Sequence, residues 1–112
     1  MSAYTFYIKK NDRRPKLEVQ LKNFDNTPLD LTDASKVLFL MTKNNGSLPK
    51  VATEAVVADA KNGLVEYEWQ ENDTDTVGTY KAELEIEWET NVKQTLPEDD
   101  YIKVIVKDDL TD

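Results

Sequence analysis

The sequence predicts an all-β fold: an antiparallel sandwich of seven to eight short strands, forming a single domain over residues 1–112. Three observations carry this. Apolar residues recur at every second position. Val65, Tyr67 and Trp69 alternate with Glu66, Glu68 and Gln70, while Tyr80, Ala82, Leu84, Ile86 and Trp88 alternate with Lys81, Glu83, Glu85, Glu87 and Glu89. Successive strand side chains point to opposite faces, so each run is a half-buried strand with one apolar face. Turn-forming residues interrupt the chain at the spacing of about 8–12 residues typical of sandwiches. No stretch sustains the helical period of about 3.6 residues.

Taken in order, residues 4–9 form a first strand with Tyr4, Phe6 and Ile8 on one face. Asn11-Asp12-Arg13-Arg14-Pro15 ends it, because proline cannot donate to a ladder and restricts the residue before it. Residues 16–23 alternate, with Leu17, Val19 and Leu21 inward, and Phe24 is placed to cover the sandwich end. Asp25-Asn26-Thr27-Pro28 has turn chemistry. Leu29 to Ala34 reads as a single helical turn whose two leucines plug the core. Residues 35–42 are apolar at both parities, which suits a central strand covered on both faces, with a buried helical turn as the alternative. A loop at 43–47 leads through Pro49 to residues 51–60, weakly patterned and read as one edge strand.

Asn62-Gly63 supplies residues that tolerate positive φ for a tight hairpin. The two alternating runs follow, joined by a polar connection at 71–78. Their second run turns through Thr90-Asn91-Val92. A three-residue tip pairs Glu89 with Lys93 and Ile86 with Leu96, whereas a two-residue tip sets Glu85 against Leu96; matching apolar with apolar favours the first. A polar corner at 97–100, a last strand at 101–107 with Ile102, Val104 and Val106 inward, and an acidic tail at 108–112 complete the chain.

Composition excludes several classes of function. With 39% hydrophobic and 32% charged residues, the chain is globular rather than disordered. A net charge of −8 argues against nucleic acid or an anionic membrane as partner. Without cysteine there is neither a disulfide framework nor a thiolate metal site. Without histidine the commonest general base, the Ser-His pairing and most zinc chemistry are lost together. The N-terminus has no signal-peptide pattern, and no apolar run approaches the roughly 20 residues that span a bilayer.

Each stretch whose residue types suit chemistry has a plainer structural reading. Glu83, Glu85, Glu87 and Glu89, with Glu66 and Glu68, could pair as glycosidase acids, but at period two on a solvent face nothing desolvates them. Lys103 and Lys107 would offset their repulsion if the last strand is adjacent. The aspartates at 73/75, 99/100 and 108/109/112 could ligate calcium, yet they lack EF-hand spacing; Asp73 better suits a cap on the amides that follow it. Trp69 and Trp88 could stack a sugar, but both lie in phase with core positions. Tyr80, after Gly78-Thr79, suits a corner tyrosine whose hydroxyl returns to the backbone. Lys9, Lys10, Arg13, Arg14 and Lys16 form the one basic concentration, suited to an acidic neighbouring subunit rather than nucleic acid.

Several pieces together resemble the N-terminal immunoglobulin-like domain of the phage baseplate upper protein family. They are Phe6-Tyr7-Ile8-Lys9-Lys10-Asn11-Asp12 with Pro15, Pro28-Leu29-Asp30-Leu31-Thr32-Asp33-Ala34 before Val37, and Gly63-Leu64-Val65-Glu66-Tyr67-Glu68-Trp69. Asp73-Thr74, Gly78-Thr79-Tyr80-Lys81-Ala82-Glu83, Leu96-Pro97 and Tyr101-Ile102-Lys103-Val104 follow in order. The resemblance implies an immunoglobulin-like sandwich that builds virion structure in tailed phages and prophages, with no enzymatic activity and no catalytic residue; no cofactor is expected, and folding is expected to need no metal because the carboxylates lack chelating spacing. Its partners would be other virion proteins, in an assembly holding several copies, and its location the virion, after synthesis in the host cytoplasm. Two departures stand out: Thr90-Asn91-Val92 replaces the family's frequent Asp-Gly tip, and the chain stops at Asp112 where relatives continue into helical regions. A free-standing accessory module of baseplate, tail or capsid is the expectation. A carbohydrate-binding module for host glycans is the alternative, marked by an exposed Trp69 or Trp88.

Overall fold

Among the described residues, nine strands build two facing sheets: β1 (Tyr4–Lys9), β2 (Leu17–Gln20), β3 (Lys36–Lys43), β4 (Pro49–Glu54), β5 (Val56–Asp59), β6 (Leu64–Tyr67), β7 (Gly78–Glu89), β8 (Val92–Leu96) and β9 (Ile102–Lys107). The computed structural model describes residues 4–43, 48–97 and 101–108. Most of the expected loop at 43–47 (residues 44–47), of the polar corner at 97–100 (98–100) and of the tail at 108–112 (109–112) lies outside the described residues. The larger sheet runs β1-β9-β7-β3-β4, with β8 also paired to β7; the smaller runs β2-β6-β5. β9 pairs with the first part of β7 and β8 with the second, so both lie on the side of β7 opposite β3. The all-β sandwich is as the alternation predicts. One pair, β1 with β9, is parallel.

The core lies between the sheets. Phe6, Ile8, Val37, Phe39, Met41, Tyr80, Ala82, Leu84, Ile86, Ile102, Val104 and Val106 come from the larger sheet, and Leu17, Val65 and Tyr67 from the smaller. Every one sits at the inward parity of its strand. Leu29 and Leu31 do plug the core, but through a single reverse turn in which the Ala34 amide donates to the Leu31 carbonyl at 3.0 Å. The expected helical turn is absent because Asp30 is bonded locally, accepting from the Thr32 amide and hydroxyl.

Four further details differ from the sequence reading. The edge strand expected over 51–60 is two strands in different sheets: β4 pairs with β3, and β5 pairs with β6. The chain crosses between them at Ala55, which is buried and whose amide donates to the Val37 carbonyl. Phe24 is 95% exposed and covers nothing, because the Lys22–Pro28 bridge carries it out on a hairpin tip. β3 is covered on one face only, Leu38 and Leu40 being partly exposed. Finally, the β7–β8 tip has two residues, Thr90-Asn91, with Asn91 at φ 66°. A bulge at Trp88 absorbs the mismatch, so that Leu84 faces Leu96 and Glu85 faces Thr95. Apolar meets apolar at Leu84 and Leu96, through a bulge rather than a longer loop, while Ile86 faces Gln94 instead of Leu96.

Gly63 is the glycine the fold cannot exchange. Its φ is +67°, and a Cβ there would lie 2.5 Å from the Leu21 carbonyl oxygen and 2.7 Å from that of Leu29. It closes the β5–β6 connection where β2 passes, its own carbonyl accepting the Leu21 amide.

Candidate interaction surface

The basic loop between β1 and β2 is held rigidly at one end of the sandwich. The Asn11 amide donates to the Thr74 carbonyl at 2.9 Å, and the Thr74 hydroxyl donates to the Asp12 carbonyl at 2.8 Å. Thr74 is only 2% exposed, and nothing in the sequence beyond its Asp-Thr context marks it out. The Arg13 guanidinium donates from Nε to the Trp69 carbonyl at 2.9 Å. Lys16 pairs with Glu66 at 3.0 Å, and that carboxylate raises the ammonium above its ordinary lysine value. Lys9, Lys10 and Arg14 pair with no carboxylate among the described residues.

Strand pairing enlarges this basic region beyond what the linear sequence indicates. Lys9 of β1 lies opposite Lys107 of β9, and Lys103 of β9 lies opposite Lys81 of β7. All four occupy the outward parity of the larger sheet. The Lys107 ammonium lies 5.6 Å from the Tyr7 ring centre, and that of Lys81 lies 4.9 Å from the Tyr101 ring centre. Lys103 therefore meets Lys81, not the glutamates it was expected to offset. The glutamate row on the same face is relieved instead by Lys93 of β8, 3.8 Å from Glu85, and Lys36 of β3, 3.9 Å from Glu87. Such partly exposed pairs each contribute about 0–1 kcal/mol.

The connection between β6 and β7 is built around Tyr67, Asp73 and Tyr80. The Asp73 carboxylate accepts from the Tyr67 hydroxyl and from the Gln70 amide at 2.8 Å, while the Asp73 amide donates back to the Gln70 carbonyl. Asp73 thus caps an amide that precedes it, not those that follow. Burial, then the Asp73 hydrogen bond, pushes the Tyr67 phenol well above its ordinary value. The Tyr80 hydroxyl donates to the Thr76 carbonyl at 2.6 Å, the corner predicted for it, and burial raises its pKa too. Asp75 is bound by Lys50 at 2.7 Å and by Thr76, which lower its pKa. No three acidic side chains converge on a metal-sized site among the described residues.

The two tryptophans part company. Trp69 is 1% exposed, stacked on Phe6 at 5.8 Å and edge-on to Phe39 and Tyr67, so it offers no platform to a sugar. Trp88 is partly buried at the core margin, its indole N–H donating to Gln94 at 3.0 Å. Among the described residues, open strand edges belong to β1, β4 and β8 in the larger sheet and to β2 and β5 in the smaller. β5 carries Val56, 51% exposed, on its outward face. Open edges and a charged sheet face are surfaces for contact with another protein.

Comparison with known proteins agrees with this architecture. The N-terminal domain of phage TP901-1 ORF48 is similar in structure, with a TM-score of 0.63 and 17% sequence identity over 92% of this chain and 84% of that one. At that identity the likeness shows the shared fold. No curated protein matches the sequence. Residues 5–111 match the family described as the BppU N-terminal domain, nearly the whole chain. The chain therefore belongs to the family of the phage baseplate upper protein N-terminal domain.

Proposed function

We propose that this chain is a non-enzymatic structural component of a phage or prophage virion, acting through contacts with other virion proteins. The family match over residues 5–111 carries the reading. The chemistry of the surface supports it. The carboxylates of β7 weighed as glycosidase acids stand on an outward sheet face, two of them, Glu85 and Glu87, held by lysines. Buried polar bonding, through Thr74, Tyr67 and Tyr80, goes into fixing loops. The alternative of a glycan-binding module rested on an exposed Trp69 or Trp88; Trp69 is buried and Trp88 partly buried at the core margin, which counts against it.

The experiment is deletion of the gene followed by electron microscopy of the particles. The expected result is particles lacking a defined part of the baseplate, tail or capsid surface, restored when the chain is supplied in trans. Particles of unchanged structure and infectivity would count against a structural role.

A further inference from the structure

We propose that the outward face of the larger sheet is a self-pairing surface, in which the basic half of one copy docks on the acidic half of a second copy. This rests on the structural reading above and names one contact surface within it.

The face is divided by charge along a line that strand register defines. On one side lie Lys9 opposite Lys107 and Lys81 opposite Lys103. On the other lie Glu83, Glu85 and Glu87 of β7, facing Leu40, Leu38 and Lys36 of β3. Lys81 and Glu83 are successive outward positions on one strand, about 7 Å apart at strand rise. Like charges directly opposite each other destabilise a sheet. A chain with 22 acidic residues has many ways to pair four lysines, yet none of the four is ion-paired to a carboxylate among the described residues. Repulsion left in place on one half of a face suits a surface completed by a partner; on the other half Lys36 and Lys93 hold Glu87 and Glu85, leaving Glu83 as the carboxylate of that row with no lysine among the described residues.

A second copy fits because both complementary halves belong to this chain. A two-fold axis lying in the face, crossing the strands between the Lys81 and Glu83 rows, sets each basic half over the other's acidic half. The same operation makes the contact isologous and closed. Apolar surface crosses the face as well: Tyr7, 59% exposed, opposite Ile105, and the partly exposed Leu38 and Leu40. With principal extents of 44 × 26 × 25 Å, the molecule has room for the roughly 800 Å² per partner of a standard interface.

The test is sedimentation equilibrium of the purified chain over a concentration series. The expected result is a monomer–dimer equilibrium that weakens toward about 1 M salt, where the screening length falls to about 3 Å. K81E/K103E and E83K/E85K should each raise the dissociation constant at least roughly tenfold, since like charges across an interface cost several kcal/mol. An equimolar mixture of the two variants should recover a dimer, because each then presents what the other lacks. E83K/E85K changes the net charge from −8 to −4, so self-association governed by overall charge would strengthen in that variant instead. Circular dichroism confirms that each variant is folded. A chain that is monomeric at every salt concentration, a dimer indifferent to both double substitutions, or no recovery on mixing overturns the proposal. A monomer leaves the basic face to an acidic surface on a different protein, and none of these results bears on whether the chain is part of a virion.

Discussion

Phe39 of the larger sheet and Tyr67 of the smaller stack across the sandwich, ring centres 4.3 Å apart and planes 18° from parallel. Trp69 closes edge-on against both, at 5.6 and 5.3 Å. With no disulfide available, this aromatic group is the tie between the sheets. Aromatic pairs in such geometries contribute about 0.5–1.5 kcal/mol beyond the area they bury.

Truncation should therefore grade with position. Trp69→Ala should cost about 3–5 kcal/mol, the range for large-to-small changes in a closed core. Trp88→Ala, at the core margin with one hydrogen bond to Gln94, should cost about 1–2 kcal/mol. Urea denaturation of both variants checks the order. Equal losses would mean that the β7 bulge is as central to the fold as the cross-sheet stack.

Gly63→Ala should lower stability by at least about 2 kcal/mol. Left-handed backbone at a non-glycine residue costs about 1–3 kcal/mol, and here the new methyl also meets two carbonyl oxygens of the β2 segment and its following turn. The same denaturation series reads the effect. A loss below about 0.5 kcal/mol would show that the connection relaxes freely.

Thr74→Val keeps shape and removes a buried hydroxyl that donates to the Asp12 carbonyl in a partly buried bond. Leaving that carbonyl unpaired should cost about 1–3 kcal/mol. Hydrogen exchange at the Asn11 amide should accelerate along with it, since that amide bonds the Thr74 carbonyl. Unchanged exchange there would detach the basic loop from the β6–β7 connection.

Alkali should destabilise the fold. Tyr67 and Tyr80 are held neutral by burial, so their folded pKa values lie above the unfolded value of 10. Between those values the folded state binds more protons than the unfolded, and stability falls as pH rises. It should be fully present below about pH 10 and decline above it. Tyr67→Phe should flatten that decline while losing the bond to Asp73. A melting temperature level from pH 9 to well above 10 would contradict the argument.

Alternation made most of the core legible in advance: Phe39, Tyr67, Trp69, Tyr80 and the β9 residues all face inward at the parity the sequence shows. What stayed hidden leaves no mark on parity. Val51, Ala55 and the partly buried Val57 keep one odd-numbered phase while the chain changes sheets, so the crossover between β4 and β5 is invisible to a pattern of period two. The bulge at Trp88 inserts a residue that simple counting across a hairpin does not anticipate. Of the four lysines on the basic face, one, Lys9, belongs to the cluster from Lys9 to Lys16 that is evident in the sequence. Lys81, Lys103 and Lys107 join it only because β1 pairs in parallel with β9, a contact between the two ends of the chain.

Membership of particles tests the functional account most directly. Intact virions, purified by density gradient and analysed by quantitative mass spectrometry, should contain this chain at a fixed copy number relative to the baseplate, tail or capsid proteins. Its absence from particles produced by cells that express it would contradict the account.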